Sequence, residues 1–307
     1  MPYEVFLPLR PTNVMHQLGP ASALPLCNGR FMLDCLLKVP GVLWLPRIPH
    51  LAALPAVFRA ASQQKVPLGV ALVAESTDSV DLKRVHSPGG FFRAVVDAAE
   101  EVGSVPPFVV HVEIPRVNRP EGREYEAAGN YLNRCLEAGF TSFGVDLSGC
   151  RPEDYTAVAA GLLAPAIDLE LCVTARLGAG SAADLAGWVQ GLKQAGVHPD
   201  LAILPGPDEL GERAWALAEQ VAPLVAPTAL GWRDPGREMR LDAHNLRSSF
   251  VRCLSGGSRL PAPSADADPG KVEALAYMEA ADAFRALCER DSALRLSEAA
   301  TALLSKS

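Results

Sequence analysis

The sequence predicts a single closed (βα)8 barrel, and three observations predict it. Eight short apolar runs recur along the 307 residues, most of them followed by an amphipathic stretch. The runs are nearly continuous instead of alternating, as expected for parallel strands covered on both faces. No G-x-G-x-x-G follows the early runs, which removes the usual signature of the open, doubly wound alternative. A chain of this length fits one large α/β barrel.

The elements follow in order. Residues 1–22 read as an irregular N-terminal extension that plugs the barrel bottom, and the barrel occupies 23–254. Its strands are predicted at ALPLCN (23–28), VLWLPR (42–47), GVALVAE (69–75), FVVHVEI (108–114), SFGVDLS (142–148), LELCVTA (169–175), DLAILP (200–205) and TALGW (228–232). Between them, Ser87-Pro88 opens a helix with apolar positions Phe91, Phe92, Val95, Val96, Ala99 and Val102, and Gly103 ends it. The segment from Tyr125 through Ala128, Leu132, Cys135 and Leu136 stops at Gly139. Ser181 with Asp184 forms an N-cap signal, and Leu185, Trp188, Val189 and Leu192 lead to a stop at Gly196. Residues 255–270, SGGSRLPAPSADADPG, have linker composition. Residues 271–307 read as helices packed on the outside of the barrel.

Composition narrows the function. Hydrophobic residues at 49% and charged residues at 21% exclude wholesale disorder. The balance of 28 basic against 35 acidic residues, net −7, argues against a nucleic-acid partner. Only 6 of the basic residues are Lys and none ends a predicted strand, which disfavours Schiff-base chemistry. The seven cysteines are scattered with no C-x-x-C, as expected for reduced, buried thiols. The opening MPYEVFLPLRPTN lacks a leader pattern, and no run approaches the ~20 apolar residues of a membrane span. A cytoplasmic protein with no membrane partner is expected.

Barrel chemistry gathers at the C-terminal ends of the strands. In order, those ends carry Asn28, Arg47, Glu75, Glu113 with Arg116, Asp146 with Ser148, Arg176, Asp208 and Arg233-Asp234. Glu75, Glu113 and Asp146 are carboxylates of three successive strands, suited to dividing acid and base work or to holding a magnesium-type ion. Arg47, Arg116 and Arg176 can fork a phosphate or carboxylate. Gly178-Ala179-Gly180-Ser181 leads into a helix N-terminus, where backbone N–H groups favour an anion or simply turn into a capped helix. The same acids and arginines also suit a ring of salt bridges closing the barrel top. His111 lies mid-strand among valines and reads as a core histidine.

Four stretches carry a resemblance: FFRAVVDAAEEVGSVPPFVVHVEI, YLNRCLEAGFTSFGVDLSG, LELCVTARLG and GLKQAGVHPDLAILPG. Together, over about residues 42–206, they resemble the class II (zinc-dependent) aldolase family, including the non-catalytic subunits of tagatose-bisphosphate aldolase. EAGFTSFGVDLSG is the strongest piece. The resemblance implies a barrel, a small phosphorylated substrate and a proton-handling carboxylate at Glu113. The family's His-x-Asp-His becomes His111-Val112-Glu113-Ile114, with Ile114 where a zinc ligand stands. Its later zinc histidines have no counterparts in TARLG and ALGWRDPG. A catalytic zinc needs three protein ligands, so no zinc is expected. Two readings follow. One is a homo-oligomeric barrel that binds a small anionic metabolite and performs zinc-independent lyase or isomerase chemistry. The other is a catalytically degenerate barrel serving as scaffold or partner subunit in a protein complex.

Overall fold

The computed structural model describes residues 3–38, 43–46, 48, 50–73, 87–114, 116–177, 182–204, 224–227 and 268–289. One sheet contains β1 (Leu68–Val73), β2 (Phe108–Glu113), β3 (Ser142–Leu147), β4 (Cys172–Leu177), β5 (Leu201–Leu204) and β6 (Leu224–Pro227). All pairings are parallel, and the strands stand in the order β1-β2-β3-β4-β5-β6. A doubly wound sheet reverses its order at a switch point. Among the described strands no reversal occurs, so the open-sheet alternative falls.

The α-helices are α1 (Thr12–Leu18), α2 (Gly29–Lys38), α3 (Leu54–Gln64), α4 (Pro88–Val102), α5 (Arg123–Ala138), α6 (Tyr155–Asp168), α7 (Ala182–Ala195) and α8 (Pro269–Glu289). From α3 to α7 each packs against the next, and α8 comes back to α3. There Trp44 meets Phe284 edge-on with ring centroids 4.9 Å apart, and Arg59 pairs with Glu273. Helices packed in succession along a parallel sheet, with the last described helix against the first of the series, are consistent with the sheath of a parallel barrel. No helix among the described residues is long and apolar enough to cross a membrane.

Local signals set most helix ends. Ser87 Oγ accepts from the Gly90 amide at 3.1 Å, Pro88 fills the first turn, and Gly103 ends α4 at φ 82°. Gly139 (φ 102°) closes α5 in the left-handed region, where a side chain is strained. By contrast, α6 has no glycine at its end. It runs into Leu169 and then Glu170 at φ 55°. The strand therefore starts at Cys172 and not at residue 169, where the apolar run begins.

Two predicted strands are reduced to single bridges. Trp44 pairs with Leu68, and the Gly69 and Ala71 amides donate to the Trp44 and Pro46 carbonyls at 2.8 and 2.9 Å. The run at 42–47 thus flanks β1 as expected; Pro46 has no N–H to donate, which leaves one gap in the ladder before the Ile48 amide resumes it on the Ala71 carbonyl at 3.1 Å. The run at 23–28 is displaced further. Leu26 pairs with Phe108 at the start of β2, and the chain then steps across the lower ends of the next strands. Gly29 N donates to the Thr141 carbonyl at 3.1 Å, Asn28 Nδ2 to the Glu170 carbonyl at 2.9 Å, and Arg30 Nε to Asp200 Oδ1 at 2.9 Å. This segment is therefore no barrel stave; it crosses the bottom. Gly29 is required there, since a Cβ would stand 2.6 Å from Cys172 Cβ. The last predicted strand, TALGW (228–232), residues 255–267 of the linker and the helix from Ser292 lie outside the described residues.

Strand alternation divides the barrel into two faces. Leu68, Val70, Leu72, Phe108, Val110, Val112, Phe143, Val145, Leu147, Val173 and Ala175 are buried in the core between sheet and helices. Burying each large apolar side chain contributes roughly 1.5–3 kcal/mol relative to exposure. The alternate residues, among them His111, Glu113, Ser142, Gly144, Asp146 and Thr174, occupy the inner face.

Candidate functional site

The inner face of β2, β3 and β4 is polar from its middle layer upward. His111 is 2% exposed, and its Nδ1 lies 2.9 Å from Ser142 Oγ. Thr174 Oγ1 donates to the Phe143 carbonyl at 3.3 Å. Gly144 stands between these side chains: a Cβ there would lie 2.9 Å from Thr174 Oγ1 and 3.2 Å from His111 Nε2. Only glycine lets both approach so closely. Sequence reading passed over Ser142, Gly144 and Thr174, although their period-two placement with Glu113 and Asp146 is the signal that exposes them.

Above this layer the strands end in charge. Glu113 closes β2, half-buried, in register with Val73 on one side and Gly144 on the other. Asp146 of β3 is half-buried and in register with Arg176 of β4. The Ile114 amide donates to the Gly144 carbonyl at 3.0 Å and the Val117 amide to the Asp146 carbonyl at 3.1 Å. The β2–β3 ladder thereby continues into the mouth loops. Asp146 Oδ1 accepts from the Ser148 amide at 2.9 Å, an Asx turn that swings the chain into Gly149 and Cys150. Cys150 Sγ donates to the Val117 carbonyl at 2.6 Å, fastening that turn to the β2–α5 loop. Arg116 is exposed, and its stem lies over Gly149, whose Cβ would stand 2.6 Å from Arg116 Cδ and would also meet Asn118 Oδ1.

The structure thus places Glu113, Arg116, Asp146 and Ser148 at one end of the barrel, with the backbone of Arg176 alongside. Arg47, Glu75, Gly178, Gly180 and Ser181 lie outside the described residues, as do Asp208, Arg233 and Asp234. Asn28, expected at a strand's upper end, lies instead at the bottom on the crossing segment, because the run before it does not enter the barrel.

Where the resembled family carries a zinc ligand, this chain has Ile114. Ile114 is 4% exposed and packs in the core between sheet and helices. Among the described residues no group of three or more His, Cys, Asp or Glu side chains is arranged to hold a metal ion. Nor are the described thiols poised as nucleophiles, since all are buried. Burial, then the charges of Asp154 and Asp146, pushes Cys150 up to about 11, and burial with Asp34 pushes Cys35 up to about 12. Such thiols are almost fully protonated at neutral pH.

No protein-family model matches the sequence, and no curated protein matches it. Solved structures do. The YdjI aldolase of Escherichia coli K12 superposes with a TM-score of 0.55 at 12% identity, covering 85% of this chain and 97% of that one. The fructose-bisphosphate aldolase Fba of Campylobacter jejuni gives 0.51 at 11% identity, over 83% of this chain and 92% of that one. The fold is that of an aldolase-type (βα)8 barrel, which meets the resemblance read from the sequence. Identity this low speaks for the fold alone.

Proposed function

We propose that the chain is an aldolase-like barrel that binds a small anionic, phosphorylated metabolite at the C-terminal mouth of its strands and moves a proton on it. The observation that supports this is the convergence of Glu113 and Asp146, two half-buried carboxylates from adjacent strands, at a single mouth. Glu113 is the proton shuttle, acting on a carbon beside a carbonyl in lyase or isomerase chemistry without zinc. Asp146 and Glu75 are the second-base carboxylates, of the oxygen-ligand type a magnesium ion takes. Arg47, Arg116 and Arg176 clamp the anion, and the amides of Gly178, Gly180 and Ser181 are a further anion contact.

The second reading, a partner subunit in a protein complex, is favoured by one observation: Ile114 is buried where a zinc ligand would stand. A thermal-shift screen with sugar phosphates on wild type and Glu113→Gln separates the two. A ligand site holds like charges together at a cost to stability, so neutralising Glu113 leaves the melting temperature unchanged or raised and abolishes ligand binding. A structural ion-pair ring instead loses ~3–5 kcal/mol when a buried partner is removed. An early-melting variant, with no ligand for the wild type, refutes the enzyme reading.

A further inference from the structure

We propose that the anionic group of the ligand is an oxyanion seated where the β2–α5 and β3–α6 loops cross, between the Arg116 guanidinium and the Ser148 hydroxyl. This rests on reading the mouth as a ligand site and specifies which part of the ligand goes where.

The crossing is a firm floor. Val117 N donates to the Asp146 carbonyl at 3.1 Å, and Cys150 Sγ donates to the Val117 carbonyl at 2.6 Å. Gly149 lies between these contacts, and its missing side chain makes the room for Arg116. A Cβ there would stand 2.6 Å from Arg116 Cδ and 2.9 Å from Cγ. The arginine is thus held by its stem while its head is exposed.

Two donors at this place are unused. Among the described residues no carboxylate pairs with Arg116, as is also true of Arg93 and Arg119. Ser148 Oγ is buried with no hydrogen-bond partner among the described residues, while the amide of the same residue is already spent on Asp146. An orphaned buried hydroxyl costs stability. A guanidinium fork and a hydroxyl donor beside it match the oxygens of a phosphate or carboxylate. Asp146, with one oxygen tied to the Ser148 amide, keeps the anion on the Arg116 side. Seated there, the ligand extends its carbon chain over the end of β2, toward Glu113.

The test is a calorimetric titration of inorganic phosphate, and separately of acetate, into wild type, Arg116→Gln, Ser148→Ala and Gly149→Ala. Wild type should bind phosphate saturably. Each of Arg116→Gln and Ser148→Ala should weaken it by roughly tenfold or more, the usual loss for a charge-assisted hydrogen bond. Ser148→Ala should melt no earlier than wild type, because it removes an unpartnered group. Gly149→Ala removes no donor but displaces the Arg116 arm, and should weaken phosphate as well. Acetate bound in place of phosphate, with the same dependence on Arg116 and Ser148, assigns the seat to a carboxylate. No saturable binding of either anion overturns the proposal. So does binding that ignores both substitutions. If sugar phosphates still bind in a Glu113-dependent way, that second outcome moves the anion seat elsewhere and leaves the proposed function standing.

Discussion

Arg30 Nε donates to Asp200 Oδ1 across 2.9 Å, tying the N-terminal segment to the threshold of β5. The other oxygen of the same carboxylate accepts the Val173 amide at 2.8 Å, so Asp200 holds β4 as well. The two halves of this junction differ in worth. Arg30 is 36% exposed, and a pair so open to water contributes about 0.2–1 kcal/mol. Losing the acceptor of a part-buried amide costs about 1–3 kcal/mol. Asp200→Ala should therefore lower the urea midpoint clearly more than Arg30→Ala does. Equal losses would mean that the backbone bond carries nothing.

Ser142 is the partner of a buried imidazole, His111, with 2.9 Å between Oγ and Nδ1. Ser142→Ala should destabilise the barrel by about 1–3 kcal/mol, the cost of stripping a hydrogen bond from a buried polar group. Ser142→Thr, which keeps the hydroxyl, should recover part of the loss in the same denaturation experiment. If the two variants unfold together, the hydroxyl is not what holds the ring.

Zinc content is open to direct measurement. With Ile114 turned into the core, protein purified with no added metal should carry no stoichiometric zinc. Chelator should leave its melting temperature where it was. One equivalent of tightly held zinc, lost together with stability on chelation, would restore the usual chemistry of the resemblance.

Alkaline pH should unfold this protein through its thiols. A cysteine ordinarily ionises near 9.0, whereas burial above all pushes Cys150 up to about 11 and Cys35 to about 12. Cys27, Cys135 and Cys172 are pushed up too, again chiefly by burial. A raised value means that the folded chain keeps its proton after the unfolded chain has lost it. The associated stability is complete below about pH 9 and is withdrawn as pH climbs toward the folded values. The urea midpoint should be level around neutrality and fall steadily above about pH 9. A midpoint that stays level to about pH 11 would contradict the buried placement of these residues.

Much of this architecture was legible because it is local. Ser87-Pro88, Gly103, Gly139 and Gly196 mark helix ends by backbone chemistry alone, and the helices end there. The continuous apolar runs marked parallel strands for the same reason. What sequence could not say is where a run pairs. ALPLCN is as apolar as any strand, yet it crosses beneath β2, a choice made by tertiary partners such as Phe108 and Thr141. The candidate site divides in the same way. Glu113 and Asp146 stood out as charges ending apolar runs, while Gly149 matters only through the Arg116 stem laid over it, a contact between separate loops.

The return of α8 to α3 bears on how the chain is made. Trp44 finds its aromatic neighbour in Phe284, and Arg59 finds its counter-charge in Glu273, both near the far end of the sequence. Synthesis proceeds from the N-terminus, so the first βα unit leaves the ribosome long before the helix that covers it. Until that helix emerges, the flank of α3 stays open to chaperones or to another nascent copy. A premature stop before residue 269 would make that exposure permanent, and degradation would be its expected fate.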